Sequence, residues 1–143
     1  MAGRRTFVDT NVLVYAHDTA ELGKHDVARG RLEQLWAERS GSLSTQVLQE
    51  FYVVATRKFD PPMRRSDARE VVVAYSAWSL VQIDPELIVA ASELEETNAL
   101  SFRDALIVEA ARRSGAATLL TEDLQDGQRF GEVRVVNPFG SGS

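Results

Sequence analysis

Asp9, Glu50, Asp104 and Asp123 are the residues whose types and positions suit chemistry. Three of them lie at or soon after the ends of apolar strand-like runs, and Asp104 opens a helix. Singly, each has an ordinary role. Asp9 and Asp123 suit helix N-termini, where a carboxylate accepts backbone N–H bonds at the favourable end of the dipole. Ser101-Phe102-Arg103-Asp104 has the form of a capping box, and Glu50 suits solvent. Two of them resist that reading. At roughly 100° per residue, Asp104 shares its direction with Ile107, Val108 and Ala111, away from Glu109, Arg112 and Arg113. Glu50 lies beside Val54 at the edge of its own apolar face. An ionised carboxylate facing a core is costly unless a cation pairs with it. No lysine or histidine nearby in sequence is an obvious partner. Arg103 or a distant arginine is one candidate, and a bound divalent metal is the economical one. All-oxygen donors suit Mg²⁺ or Mn²⁺ and disfavour zinc. Ions held this way work on phosphates, and two of them about 3.5–4 Å apart can stabilise both oxygens of an in-line displacement. His17 and His25 lack a paired ligand spacing and are expected at the surface.

The elements that must position these acids alternate in type. Thr6-Phe7-Val8 reads as a buried strand ending at Asp9-Thr10-Asn11, with a helical turn or two over Val12–Ala16. His25 to Arg39 has helical spacing, with Val27, Ala28, Leu32, Leu35 and Trp36 on one side. Leu43-Ser44 is a short strand, and Gln46 to Lys58 a helix striped by Val47, Leu48, Phe51, Val54 and Ala55. Asp60-Pro61-Pro62 breaks the chain. Ser66 is expected to cap a helix through Trp78, before a strand at Leu80–Ile83. Asp84-Pro85 starts the next helix, which runs to about Thr97. A further helix follows Ser101 and ends at Gly115. Strands at 117–120 and 133–136 flank a loop over 121–131. Short apolar strands alternating with helices predict an α/β fold, a parallel sheet covered on both faces. Ligands in such sheets bind beyond the carboxyl ends of the strands, where the acids lie.

The 143 residues suit one domain, expected over 1–139 with a flexible Gly-Ser tail at 140–143. A 44% hydrophobic, 26% charged composition is that of a soluble globular protein, and no apolar run approaches the ~20 residues of a membrane span. Met1-Ala2-Gly3-Arg4-Arg5 leads straight into a strand, unlike a signal peptide, so a cytoplasmic location is the default expectation. The absence of cysteine excludes disulfides and thiolate metal sites. A net charge of −5 argues against binding nucleic acid by bulk charge alone. Arg57, Lys58, Arg64, Arg65 and Arg69 make a mildly basic stretch that suits a phosphate backbone, although a solvated helix end is the plainer reading. Trp36 and Trp78 are expected in the core.

Taken together, Val8-Asp9-Thr10-Asn11-Val12-Leu13-Val14-Tyr15, Ser44–Phe51, Ser101-Phe102-Arg103-Asp104-Ala105-Leu106-Ile107 and Leu120-Thr121-Glu122-Asp123-Leu124 resemble, in order, the four acidic motifs of PIN domains. The resemblance spans residues 7 to 139. It implies a three-layer α/β/α sandwich, Rossmann-like, over a short parallel sheet. It also implies an endoribonuclease in which Asp9 and Asp104 bind Mg²⁺ (or Mn²⁺) directly while Glu50 and Asp123 complete the acidic site. Asn11 and Thr121 would hydrogen-bond the acids or a metal-bound water, and attack on a phosphodiester would leave a 5′-phosphate and a 3′-hydroxyl. A lone PIN domain is similar to VapC-type toxins, which implies a homodimer, an RNA substrate and an antitoxin laid over the active-site groove. Arg103 stands where many relatives have an aromatic residue, which assigns it to RNA or partner contacts rather than the metal. Asp126 is a second candidate for the role of Asp123.

Other readings fit less well. A haloacid dehalogenase-type phosphatase needs an aspartate where Asn11 stands, and a receiver domain needs a late lysine, yet no lysine lies beyond Lys58. No P-loop glycine pattern occurs. A catalytically silent PIN scaffold that binds RNA or a partner is the remaining alternative, and the presence of all four acids argues against it.

Overall fold

Strand β1 (Thr6–Val8) carries Phe7 and Val8, both fully buried, so it needs neighbours on both edges and cover on both faces. In the computed structural model, which describes residues 4–140, it has them. β2 (Gly41–Ser44) pairs with one edge and β4 (Thr118–Leu120) with the other, both in parallel. β3 (Ser79–Val81) extends the first side and β6 (Val133–Val136) the second, again in parallel. The antiparallel β5 (Arg129–Phe130) closes that edge, giving the order β3-β2-β1-β4-β6-β5. Strands this short and apolar must be covered by helices. Six do so: α1 (Thr10–His17), α2 (Leu22–Glu38), α3 (Thr45–Arg57), α4 (Arg65–Tyr75), α5 (Pro85–Asn98) and α6 (Phe102–Arg113).

The expected α/β sandwich is therefore observed, with one antiparallel strand inside the span expected as a loop. β5 is two residues long, too short to show a pattern in sequence. It turns back onto β6 through Gly131-Glu132, and Gly131 has the positive φ of 61° that such tight hairpin turns need.

The core is built from the sheet residues Phe7, Val8, Leu43, Leu119, Leu120 and Val135 against helical residues that include Leu13, Val47, Phe51, Ile107 and Val108. Each large apolar side chain buried this way contributes roughly 1.5–3 kcal/mol against the entropy of ordering it. Trp78 is in the core as expected, and it lies so close over Gly41 that a Cβ there would come within 2.5 Å of the indole.

Several local expectations need correction. α2 starts at Leu22 rather than His25, and only Ala28, Leu32 and Leu35 of its expected stripe are buried; Val27 and Trp36 are about two-fifths exposed. Trp36 instead packs its ring on Tyr75 and Trp78 at the rim of the core. Ser66 does not cap α4: it lies inside the first turn, after Arg64, whose guanidinium pairs with Asp67. His17 is half-buried rather than exposed. Its ring packs edge-on against Phe51 and Tyr75, and its Nε2 finds no hydrogen-bond partner among the described residues. Burial, then the charges of His25 and Arg29, push its pKa down. Among the described residues no helix is long and apolar enough to cross a membrane. The expected tail at 140–143 lies, beyond Gly140, outside the described residues.

The topology singles out one crevice. From β1 the chain moves outward to β2 and β3, then returns to β4 on the opposite side of β1. β1 and β4 therefore flank the switch point, and the crevice beyond their carboxyl ends is where open α/β sheets bind ligands.

Candidate active site

Asp9 leaves the end of β1 and Thr121 the end of β4, and the two strand ends are stitched together. The Asp9 backbone N–H donates to the Leu120 carbonyl at 3.0 Å. The buried Thr121 hydroxyl donates to Asp9 Oδ2 at 2.8 Å. Asp9 also caps α1, accepting from the Thr10 backbone N–H at 2.6 Å, so its ordinary role and its place in the site coexist. Asn11 Nδ2 donates to Asp123 Oδ2 at 2.9 Å and to Thr121 Oγ1 at 3.2 Å, which holds the loop after β4 against α1.

The other two acids arrive on helices whose first turns are fixed by serine caps. Ser44 Oγ accepts from Val47 N at the start of α3, which carries Glu50. Ser101 Oγ accepts from Asp104 N at the start of α6. The capping-box serine thus caps as expected, while the Asp104 carboxylate is turned toward the crevice. Two neutral side chains hold Glu50: Thr10 Oγ1 donates to it at 2.6 Å and Gln46 Nε2 at 3.3 Å. Thr10 was not among the residues expected to matter. Its position between Asp9 and Asn11 was the one signal that could have found it.

All four acids converge on a single group, the Arg103 guanidinium. Nη2 donates to Glu50 Oε1 at 2.6 Å, to Asp9 Oδ1 at 2.8 Å and to Thr10 Oγ1 at 3.1 Å. Nη1 donates to Asp104 Oδ1 at 3.0 Å and to Asp9 Oδ2 at 3.2 Å. Nε reaches Glu50 Oε2 at 3.3 Å, and Asp123 Oδ2 lies 3.9 Å from Nη1. Arg103, one of the candidate cations for these acids, therefore belongs to the acidic pocket and is not confined to RNA or partner contacts. The planar fork of five N–H donors makes this possible, because it can face several carboxylates at once.

Burial is uneven across the set: side-chain exposure is 1% for Asp9, 23% for Asp104, 30% for Glu50 and 48% for Asp123. Electrostatics follow. Burial pushes the Asp9 carboxyl above the usual range, against the pull of Arg103, Thr121 and the Thr10 amide. Burial acts the same way on Glu50, but there the bonds from Arg103 and Thr10 outweigh it and the pKa falls below its usual value. Burial opposes the Arg103 charge, yet the bonds to Glu50 and Asp9 more than compensate and raise its pKa.

The neighbouring acids are engaged elsewhere. Asp126 accepts from the Asn137 backbone N–H at 2.9 Å. Glu122 pairs with Lys24 at 2.9 Å and accepts from the Tyr15 hydroxyl. The basic stretch Arg57, Lys58, Arg64, Arg65 and Arg69 is exposed, and of these only Lys58 lines the cleft beside the acids. That cleft, of about 770 Å³, brings apolar Val14, Tyr15, Val53 and Val54 together with Glu50, Arg103 and Asp123.

The donor chemistry fits a hard divalent cation, since the pocket offers carboxylate oxygens and neither nitrogen nor sulfur. As the side chains stand around Arg103, no three acids among the described residues are placed to hold an ion. The oxygens suit such an ion in type, and the Arg103 guanidinium lies among them.

A family model described as the PIN domain matches residues 6–131. The chain belongs to the PIN domain family. This PIN domain is also similar in fold to solved toxin structures. Against a toxin–antitoxin complex from Klebsiella pneumoniae the TM-score is 0.69 at 20% identity, covering 93% of this chain and 97% of that one. Against VapC20 of Mycobacterium tuberculosis, described as a Sarcin-Ricin loop cleaving toxin, it is 0.63 at 21% identity, covering 80% and 86%. Against VapBC2 from Rickettsia felis, bound to a DNA fragment from its promoter, it is 0.61 at 21% identity, covering 91% and 96%. No protein of curated function matches the sequence. At such identities the structural likeness is one of fold, and the PIN motifs carry the family assignment.

Proposed function

We propose that this PIN domain, taken over residues 1–139, is a divalent-metal-dependent endoribonuclease acting as the toxin of a toxin–antitoxin pair. The observation that carries the reading is the meeting of four carboxylates from four chain segments at the switch point of the sheet, around one positive group. Asp9 and Asp104 hold Mg²⁺ or Mn²⁺, and Glu50 and Asp123 complete its acidic surroundings. Bound there, the ion supplies a Lewis acid and lowers the pKa of water for attack on a phosphodiester. The chain does the positioning. Thr121 and the Thr10 amide fix Asp9, the Thr10 hydroxyl fixes Glu50, and Asn11 fixes Asp123. An antitoxin partner, a homodimer and a cytoplasmic setting belong to the same reading. The partner is supported by the similar fold of the Klebsiella pneumoniae toxin–antitoxin complex.

A second reading, a silent PIN scaffold that binds RNA or a partner without cutting it, is favoured by one observation. Arg103 already neutralises part of the pocket, as a structural ion pair would.

The test is cleavage of a mixed RNA pool by the purified protein in Mn²⁺ and in EDTA. The nuclease reading expects cleavage only with metal, and expects Asp9→Asn and Asp104→Asn to remain folded but inactive. Cleavage that persists undiminished in either variant would overturn the site, and inert wild-type protein that still binds RNA would favour the scaffold.

A further inference from the structure

A PIN domain with four acids at its crevice needs positive charge there, and this chain supplies some of it from within. Arg103 lies on the first turn of α6, one residue before Asp104, and its guanidinium donates to Asp9, Glu50 and Asp104 while standing 3.9 Å from Asp123. Among the described residues no other lysine, arginine or histidine pairs with these acids; Lys24, Arg112 and Arg113 pair with Glu122, Glu109 and Asp84. One cation thus faces four carboxylates, which leaves a surplus of negative charge that a further cation would relieve.

A divalent ion and the guanidinium would compete for the same oxygens. The fork occupies both oxygens of Asp9 and of Glu50 and one of Asp104. Two cations so close would also repel in a site where Asp9 is almost wholly excluded from water. Arginine does not escape the conflict by losing its proton. It can escape by moving. The Arg103 side chain is 33% exposed and lines the cleft that also holds Gln49, Val53 and Lys58.

We propose that Arg103 is a built-in counter-ion that competes with the divalent cation for the four carboxylates. It keeps the metal-free pocket assembled, it swings into the cleft when the metal binds, and the cost of displacing it weakens metal affinity. This rests on the metal-site reading above and adds a reciprocal coupling between the two cations: whatever the guanidinium gains from the pocket, the metal must overcome.

Two measurements on RNA-free protein test it. Calorimetric titration with Mn²⁺ compares wild type with Arg103→Gln, which removes the charge, and Arg103→Lys, which keeps the charge but loses the fork. Arg103→Gln is expected to bind Mn²⁺ about tenfold or more tightly than wild type, with Arg103→Lys between them. In wild type, the Arg103 Nε–Hε resonance of ¹⁵N-labelled protein should be protected without metal and exchange rapidly at saturating Mg²⁺. This second measurement needs no variant, so the inference stays exposed if Arg103→Gln fails to fold. Equal or weaker binding by Arg103→Gln, or an Arg103 resonance unchanged at saturating Mg²⁺, overturns the counter-ion role and leaves the metal site standing. Absence of Mn²⁺ binding by both wild type and Arg103→Gln overturns the metal site and the counter-ion role together.

Discussion

The two ends of the sheet carry clefts of nearly equal volume, about 740 Å³ at the amino ends of the strands and about 770 Å³ at the carboxyl ends. Size does not separate them; charge bookkeeping does. At the amino end Arg112 pairs with Glu109, Arg113 pairs with Asp84, and Arg5 donates to the Ser114 carbonyl. Arg112 and Arg113, which line that cleft, each have an acceptor of their own. At the carboxyl end four acids share one guanidinium. One-to-one pairing on a partly exposed surface is what a fold does with its charges. A four-to-one ratio, with Asp9 out of water, is what the proposed metal site leads one to expect.

That contrast can be broken by substitution. The largest effect is expected from Arg103→Ala, which strands the four acids. Removing one member of a buried pair costs ~3–5 kcal/mol, and the one-third exposure of Arg103 reduces this to about 2–3 kcal/mol. Urea melts without metal would measure the loss, and Mn²⁺ should restore much of it. At the amino end the costly change is steric. Gly41→Ala drives a methyl group into the Trp78 ring and should cost about 1–3 kcal/mol in the same melts, with metal making no difference.

Smaller effects sharpen the comparison. Thr10→Val removes the donor to Glu50 and an acceptor for Arg103, for about 1–2 kcal/mol; Thr10→Ser should recover most of it. The pH dependence of Glu50 has a definite sign. Its folded pKa lies below the ordinary 4.5, so it contributes stability that is present above pH 4.5 and lost as the pH falls through the folded value. Glu50→Gln should therefore flatten the fall in stability below pH 4.5 relative to wild type. Arg112→Ala, at the opposite cleft, should cost no more than ~0.5 kcal/mol and leave RNA cleavage unchanged. A loss there as large as that of Arg103→Ala would erase the distinction between the two ends.

Much of this arrangement is legible in the sequence, for reasons that differ by residue. Phe7-Val8 and Leu119-Leu120 announce strands because a stretch buried on both faces must be continuously apolar. Asp9 and Asp123 then fall at strand ends, and the direction of Asp104 follows from helical geometry. Arg103 is legible only as one candidate cation, without its place among the acids. A side chain with so many rotatable bonds takes its place from whatever the tertiary fold brings within reach, and here the acids come from residues 9, 50 and 123 as well as from its neighbour. The misplaced start of α4 has a local cause, since Ser66 is a good cap by type but the Arg64–Asp67 pair lies across the same turn. His17 is expected at the surface, and the aromatic contacts that half-bury it come from α3 and α4.

The stitch between Asp9 and Thr121 joins residues 112 positions apart, and it has a bearing on biosynthesis. A chain still emerging from the ribosome holds its first acid long before the residue that fastens it, because β1 can meet β4 only after residues 118–120 have been made. Truncated or stalled products lack the closing strand and its threonine. Under the nuclease reading, a cell translating this protein is exposed to no cutting centre until Thr121 has been made.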